Sequence, residues 1–88
     1  MARDLARKLV GEGLAACINL VPGLTSIYCW EGAVEEASEV LLVIKLSACG
    51  YPALEARVLE LHPYDTPELI ALAAEAVEPR YAAWLLGT

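Results

Sequence analysis

The apolar positions of the chain change their period twice, and each change marks an element. Leu5, Leu9, Val10 and Leu14 recur at helical spacing, which predicts an amphipathic helix starting near Ala2. Asp4 falls in its first turn, where a negative charge suits the helix dipole, and Gly11 and Gly13 loosen its end. From Ala16 the pattern becomes β-branched and aromatic: Cys17, Ile18, Leu20, Val21, then Leu24, Ile27, Tyr28 and Trp30. Pro22-Gly23 interrupts it, which predicts one long strand with a bulge or bend. Glu31-Gly32 supplies a tight turn into a second strand from Ala33 to about Leu46, polar at first and continuously apolar from Val40 to Ile44. That apolar stretch reads as buried on both faces. Pro52 then opens a helix carrying Leu54, Val58 and Leu61, and Pro63 stops it, because the residue before a proline is pushed out of the helical region. Leu69 to Ala74 reads as a short buried strand, and Pro79 starts a last helix with Tyr81, Trp84 and Leu85, closed by Gly87. The order helix, strand, strand, helix, strand, helix is an α+β pattern within one domain, residues 1–88.

Composition adds an expectation of assembly. The chain has 88 residues and is 58% hydrophobic, more apolar material than so small a monomer hides well, since small domains bury only a modest share of their surface. No run approaches the roughly 18 apolar residues of a membrane span, so no membrane partner is expected. Six basic residues against twelve acidic, a net charge of -6, argue against nucleic acid, whose phosphates need clustered Lys and Arg. The acidic balance favours a cation or another protein as partner. Cys17, Cys29 and Cys49 form neither a CxxC pair nor an even framework, and the N-terminus has no apolar signal region, which together place the protein in the cytoplasm.

Several segments read together resemble the CutA family of divalent-cation tolerance proteins. They are Leu14 through Asn19, Val21-Pro22-Gly23-Leu24-Thr25-Ser26-Ile27-Tyr28, Trp30-Glu31-Gly32, Glu39 through Lys45, and His62-Pro63-Tyr64-Asp65-Thr66-Pro67-Glu68-Leu69-Ile70-Ala71-Leu72, with Tyr81 and Trp84 beyond them. The resemblance implies a ferredoxin-like βαββαβ fold with an extra C-terminal helix, assembled as a homotrimer whose long hairpins pair between subunits. On that reading Tyr28, Trp30, Tyr64 and Trp84 stand at subunit interfaces, where aromatic side chains make good anchors. The sequence departs from the family in two places. Family members carry a central strand before the first helix, whereas Met1 falls inside that helix. Without it two rows of backbone groups would go unpaired, so the expectation is a first strand missing from this chain and a native start upstream of Met1. The second departure is Ala73, where the family usually has proline.

His62, the single histidine, is the leading metal candidate, since imidazole suits copper and zinc, and Asp65 and Glu68 are near in sequence. The family links this position to copper. The competing reading is a helix-terminal histidine interacting with the last carbonyls. Some members add a second histidine where this chain has Leu61 and a cysteine where it has Arg57, so the ligand set is depleted. Cys17 is the second candidate, as a soft thiolate ligand or as a small core side chain. Glu31, Glu35, Glu36 and Glu39 read as a solvated charged face rather than a cation site. No GxSxG, HExxH or phosphate-binding glycine loop occurs, so a non-enzyme is expected. The functional expectation is tolerance of, or response to, a divalent cation, with copper the named ion. The alternatives are a PII-like signalling trimer that binds small ligands between subunits and a structural trimeric scaffold.

Overall fold

The computed structural model describes residues 1–62 and 67–87. Helix α1 runs from Ala2 to Gly11 with Asp4 in its first turn and Lys8 in its last, both placed well for the helix dipole. Its end is closed rather than loosened. Leu14 N–H donates to the Leu9 carbonyl (2.9 Å) and Gly13 N–H to the Val10 carbonyl (3.0 Å), while Gly13 takes a φ of 75° that only glycine adopts freely. This double bond is a Schellman cap, and it aims the chain from the helix directly into the sheet.

Strand β1, Cys17–Trp30, and strand β2, Ala33–Lys45, pair antiparallel as a long hairpin. The turn is the expected Glu31-Gly32, with φ values of 50° and 82°, both positive as a type I′ turn requires. The expected bulge is also present: Val21 faces Leu41 and Leu24 faces Glu39, so β1 spends one more residue than β2 between these pairs. Pro22, which has no N–H to offer a ladder, sits where no ladder bond is needed.

The register sorts the side chains into two faces. Ile18, Leu20, Thr25, Ile27 and Cys29 share one face with Ile44, Leu42, Ser38, Glu36 and Val34. Cys17, Asn19, Val21, Leu24, Tyr28 and Trp30 share the other with Lys45, Val43, Leu41, Glu39, Glu35 and Ala33. A 3₁₀ turn at Ala48–Gly50 leads into helix α2, Tyr51–Leu61, with Pro52 in its first turn. His62 then turns extended, at φ -79° and ψ 132°, the geometry favoured before a proline. Helix α3, Pro79–Gly87, is capped by Glu78, whose Oε2 accepts from Tyr81 N–H at 2.9 Å.

The core is small: Leu9 of α1, Ala15, and Leu54 and Val58 of α2 are buried together, with Ile18, Ile44, Leu46 and Leu69 packed around them. Helices therefore cover only the face bearing Ile18 and Ile44. Two expectations are corrected. Val40 to Ile44 is not buried on both faces, because Val40, Leu41 and Val43 remain 40–44% exposed where no layer covers them. Leu69 to Ala74 is not a strand. Among the described residues no third strand joins the sheet, and a run broken by Ala71, Ala73 and Ala74 has little β-propensity of its own. Leu69 reaches the core while Ile70 and Leu72 stand 72% and 90% exposed.

Leu54→Ala and Leu9→Ala each remove a fully buried side chain and will destabilise the fold by about 2–5 kcal/mol in urea denaturation. Glu31→Asn will act oppositely, gaining about 0.5 kcal/mol in the same measurement, since Asn accepts the positive φ at lower cost.

Candidate metal site and self-association surface

His62 caps the C-terminal end of α2, half-buried, with its backbone N–H donating to the Val58 carbonyl at 2.8 Å. The helix stops here because Pro63 follows, so the imidazole is delivered to the loop after α2. Tyr64 and Asp65, the neighbours expected to join it, lie outside the described residues, and so does any account of Tyr64 as an interface residue. Glu68 is exposed.

Cys17 begins β1 opposite Lys45, on the face away from the helices, and its half-buried thiol accepts a long contact from the Lys45 ammonium at 4.0 Å. That contact bears on metal binding: a fixed cation so close opposes a second one. Among the described residues no three His, Cys, Asp or Glu side chains converge on a point that would hold a metal ion. The described part of one chain thus offers His62 as a single donor rather than a closed coordination sphere.

Arg57 is engaged in ion pairs instead of standing near a metal-binding group. Its Nε and Nη2 donate to the two carboxylate oxygens of Glu12 at 2.8 and 2.9 Å, and its Nη1 donates to Glu60 at 3.1 Å. The bidentate fork ties α2 to the turn that leaves α1. Hydrogen bonding to Arg57 holds the Glu12 carboxyl below its ordinary value, and the guanidinium is held charged in return. Nothing local in the sequence pairs residues 45 positions apart.

Cys49 and Ser47 line a cavity of about 300 Å³ between the α1–β1 turn, the start of α2 and the end of α3, with Sγ and Oγ 3.5 Å apart. Cys29 is exposed. The face of the hairpin opposite the helices is an apolar surface: Val21, Leu24, Leu41, Val43, Tyr28 and Trp30 are each 39–57% exposed. On α3, Tyr81 and Trp84 lie with ring centroids 5.7 Å apart, and both remain exposed.

With this geometry in hand, comparison with known proteins is informative. The model of the family described as CutA1 divalent ion tolerance protein matches residues 1–88. A divalent-cation tolerance protein CutA of Thermus thermophilus is 49% identical over 85 residues, covering 97% of this chain and 82% of the relative. Protein CutA of Mus musculus is 47% identical over 85 residues, 97% of this chain, but the chain spans only 48% of that protein's length. Among solved structures, the divalent cation tolerance protein of Thermus thermophilus superposes with a TM-score of 0.94 at 49% identity, covering 98% of this chain and 84% of the other. The PII-like protein CutA from Nostoc sp. PCC 7120, in apo form, does so at 0.91 with 39% identity, covering 97% and 83%.

The Glu12–Arg57 pair makes a prediction of definite sign. Because the folded state depresses the Glu12 carboxyl, its contribution is present above the ordinary glutamate range and lost as pH falls through the depressed value. Glu12→Gln will lower the thermal midpoint by a few degrees near neutral pH, and the difference from the parent will vanish once acid has protonated Glu12. Thermal melts across an acid series check it.

Proposed function

The chain belongs to the CutA1 divalent ion tolerance protein family, and from that premise we propose that it is a non-catalytic cytoplasmic homotrimer that binds or responds to a divalent metal ion, copper being the candidate. The observation that carries the assembly is the amount and placement of exposed apolar surface. A folded monomer of 9.4 kDa is expected to expose about 5,000 Å², whereas this chain exposes 6820 Å². The excess of about 1,800 Å² is about twice the roughly 800 Å² that one partner contributes to a specific protein–protein interface, as a chain with two neighbours requires. Its radius of gyration of 14.7 Å likewise exceeds the roughly 12 Å of a compact chain this long.

The hairpin arm supports three copies over two. Near its tip Ile27 and Val34 are 67% and 80% exposed on one face, and Tyr28 and Trp30 are 44% and 57% exposed on the other. One partner across a two-fold covers one face of such an arm; in a closed ring of three, each arm lies between two neighbours. Tyr28 and Trp30, and Trp84 on α3, are the anchors of that interface, with Tyr64 a further one by resemblance. The observed αββαα order belongs, on this reading, to a ferredoxin-like plan with an extra C-terminal helix.

For the metal, His62 is the ligand and binding is weak, since further donors must come from the following loop, another copy or water. Cys17 is a poorer ligand than its residue type implies because Lys45 stands against it. The PII-like relative and the cavity at Ser47 and Cys49 favour a second reading, small-ligand binding. No lining residue of that cavity is basic, so a nucleotide is a poor fit.

Sedimentation will give three times the 9.4 kDa monomer mass, and Trp30→Asp will shift the chain toward monomer. Calorimetric titration with Cu(II) will show affinity falling about tenfold or more in His62→Ala. Unchanged copper affinity removes His62 from the site; binding of a nucleotide instead supports the PII-like reading.

A further inference from the structure

The apolar face assigned above to self-association is not uniformly apolar. Glu35 stands opposite Tyr28 and Glu39 opposite Leu24, so both carboxylates emerge among the side chains that a second copy has to cover. Their β2 neighbour Glu36 faces the other way, with Ile27. Helices α1 and α2 pack on that other face, and the charged or titratable groups that the ladder itself places on the association face belong to the hairpin. They are Glu35, Glu39, Lys45, Tyr28 and Cys17, with Glu31 in the turn at its end. Lys45 is the single basic side chain among them, and it lies six positions along β2 from Glu39, about 20 Å away.

We propose that Glu35 and Glu39 are an electrostatic brake on self-association, so that acid tightens the assembly. The inference rests on the reading that copies of this chain cover the face. Each copy's face carries these two carboxylates with its one ammonium about 20 Å from the nearer of them, so each carboxylate enters the association without a basic counterpart on its own face. Covering it removes water from a charge, which is unfavourable, and a ring gathers several of them within a screening length. Protonation removes both penalties in the assembled state and neither in the separate protomer. Association therefore binds protons, and by linkage it strengthens as pH falls. The chain's net charge of -6 acts in the same direction but without regard to face, which is why a face-specific control is needed.

The full chain is followed by sedimentation equilibrium, with the urea midpoint of dissociation as the readout if association is too tight, at about pH 7.5, where glutamates are ionised, and at about pH 4, just below the ordinary glutamate midpoint. The parent, the Glu35→Gln/Glu39→Gln double variant and Glu36→Gln are compared. The parent's association constant is expected to rise about tenfold or more on acidification, one pK unit of linkage being a factor of ten. The double variant should associate at the higher pH as tightly as the acidified parent and lose most of the response, while Glu36→Gln keeps it. A parent whose association ignores pH, a double variant no tighter than the parent, or an equal effect from Glu36→Gln overturns the brake and leaves the assembly standing. Monomers for all three proteins under every condition overturn the self-association itself.

Discussion

The paired backbone of β1 and β2 is the constraint from which the rest of the molecule follows. Two positive φ angles at Glu31 and Gly32 start the ladder with Trp30 opposite Ala33, and from there every cross-strand neighbour is determined as far as Cys17 and Lys45. Helices can settle only where the ladder presents Ile18 and Ile44, and the α1 cap, built on Gly13, directs α1 to that side. The other side is left with an apolar surface because nothing in the described chain is placed to cover it. Core, arm and exposed apolar face are thus three consequences of one register.

Much of this was legible from residues that do their work locally. A Pro-Gly pair inside a β pattern, a Glu-Gly between two runs, and prolines at the starts of α2 and α3 restrict only their own neighbourhoods, and the elements follow them closely. Legibility ended where a second partner decides. The run Leu69 to Ala74 has apolar side chains in plenty, but a strand exists only by pairing, and no sequence window contains its neighbour. Gly13 looked like a weakness in a helix and is its closure, a distinction that depends on two hydrogen bonds rather than on composition. Arg57 looked like the loss of a ligand and is a clamp on Glu12, found only once the two ends of the chain segment meet.

The candidate site divides along the same line. That His62 would stand at the end of α2 followed from Pro63, and it does. What stands around it belongs to tertiary or quaternary contacts, beyond what spacing encodes. Cys17 illustrates the point from the other side: its residue type fits a soft metal, while its cross-strand partner Lys45 makes the location unfavourable. With few fully buried side chains in its core, the proposed assembly would supply a large part of such a chain's stability and would couple its folding to concentration.

The bulge at Pro22-Gly23 carries one further meaning. Side chains alternate with a period of two, and β1 uses the extra residue there to bring Tyr28 and Trp30 onto the same side as Val21. The bulge is therefore slack in the ladder. Among descendants of this sequence, loss of one codon at Pro22-Gly23 leaves Leu24, Tyr28 and Trp30 on the side of Val21 and only makes the ladder regular, whereas a residue lost nearer the tip turns over the side chains between it and the bulge. Length is inherited more strictly along the arm than at its bend.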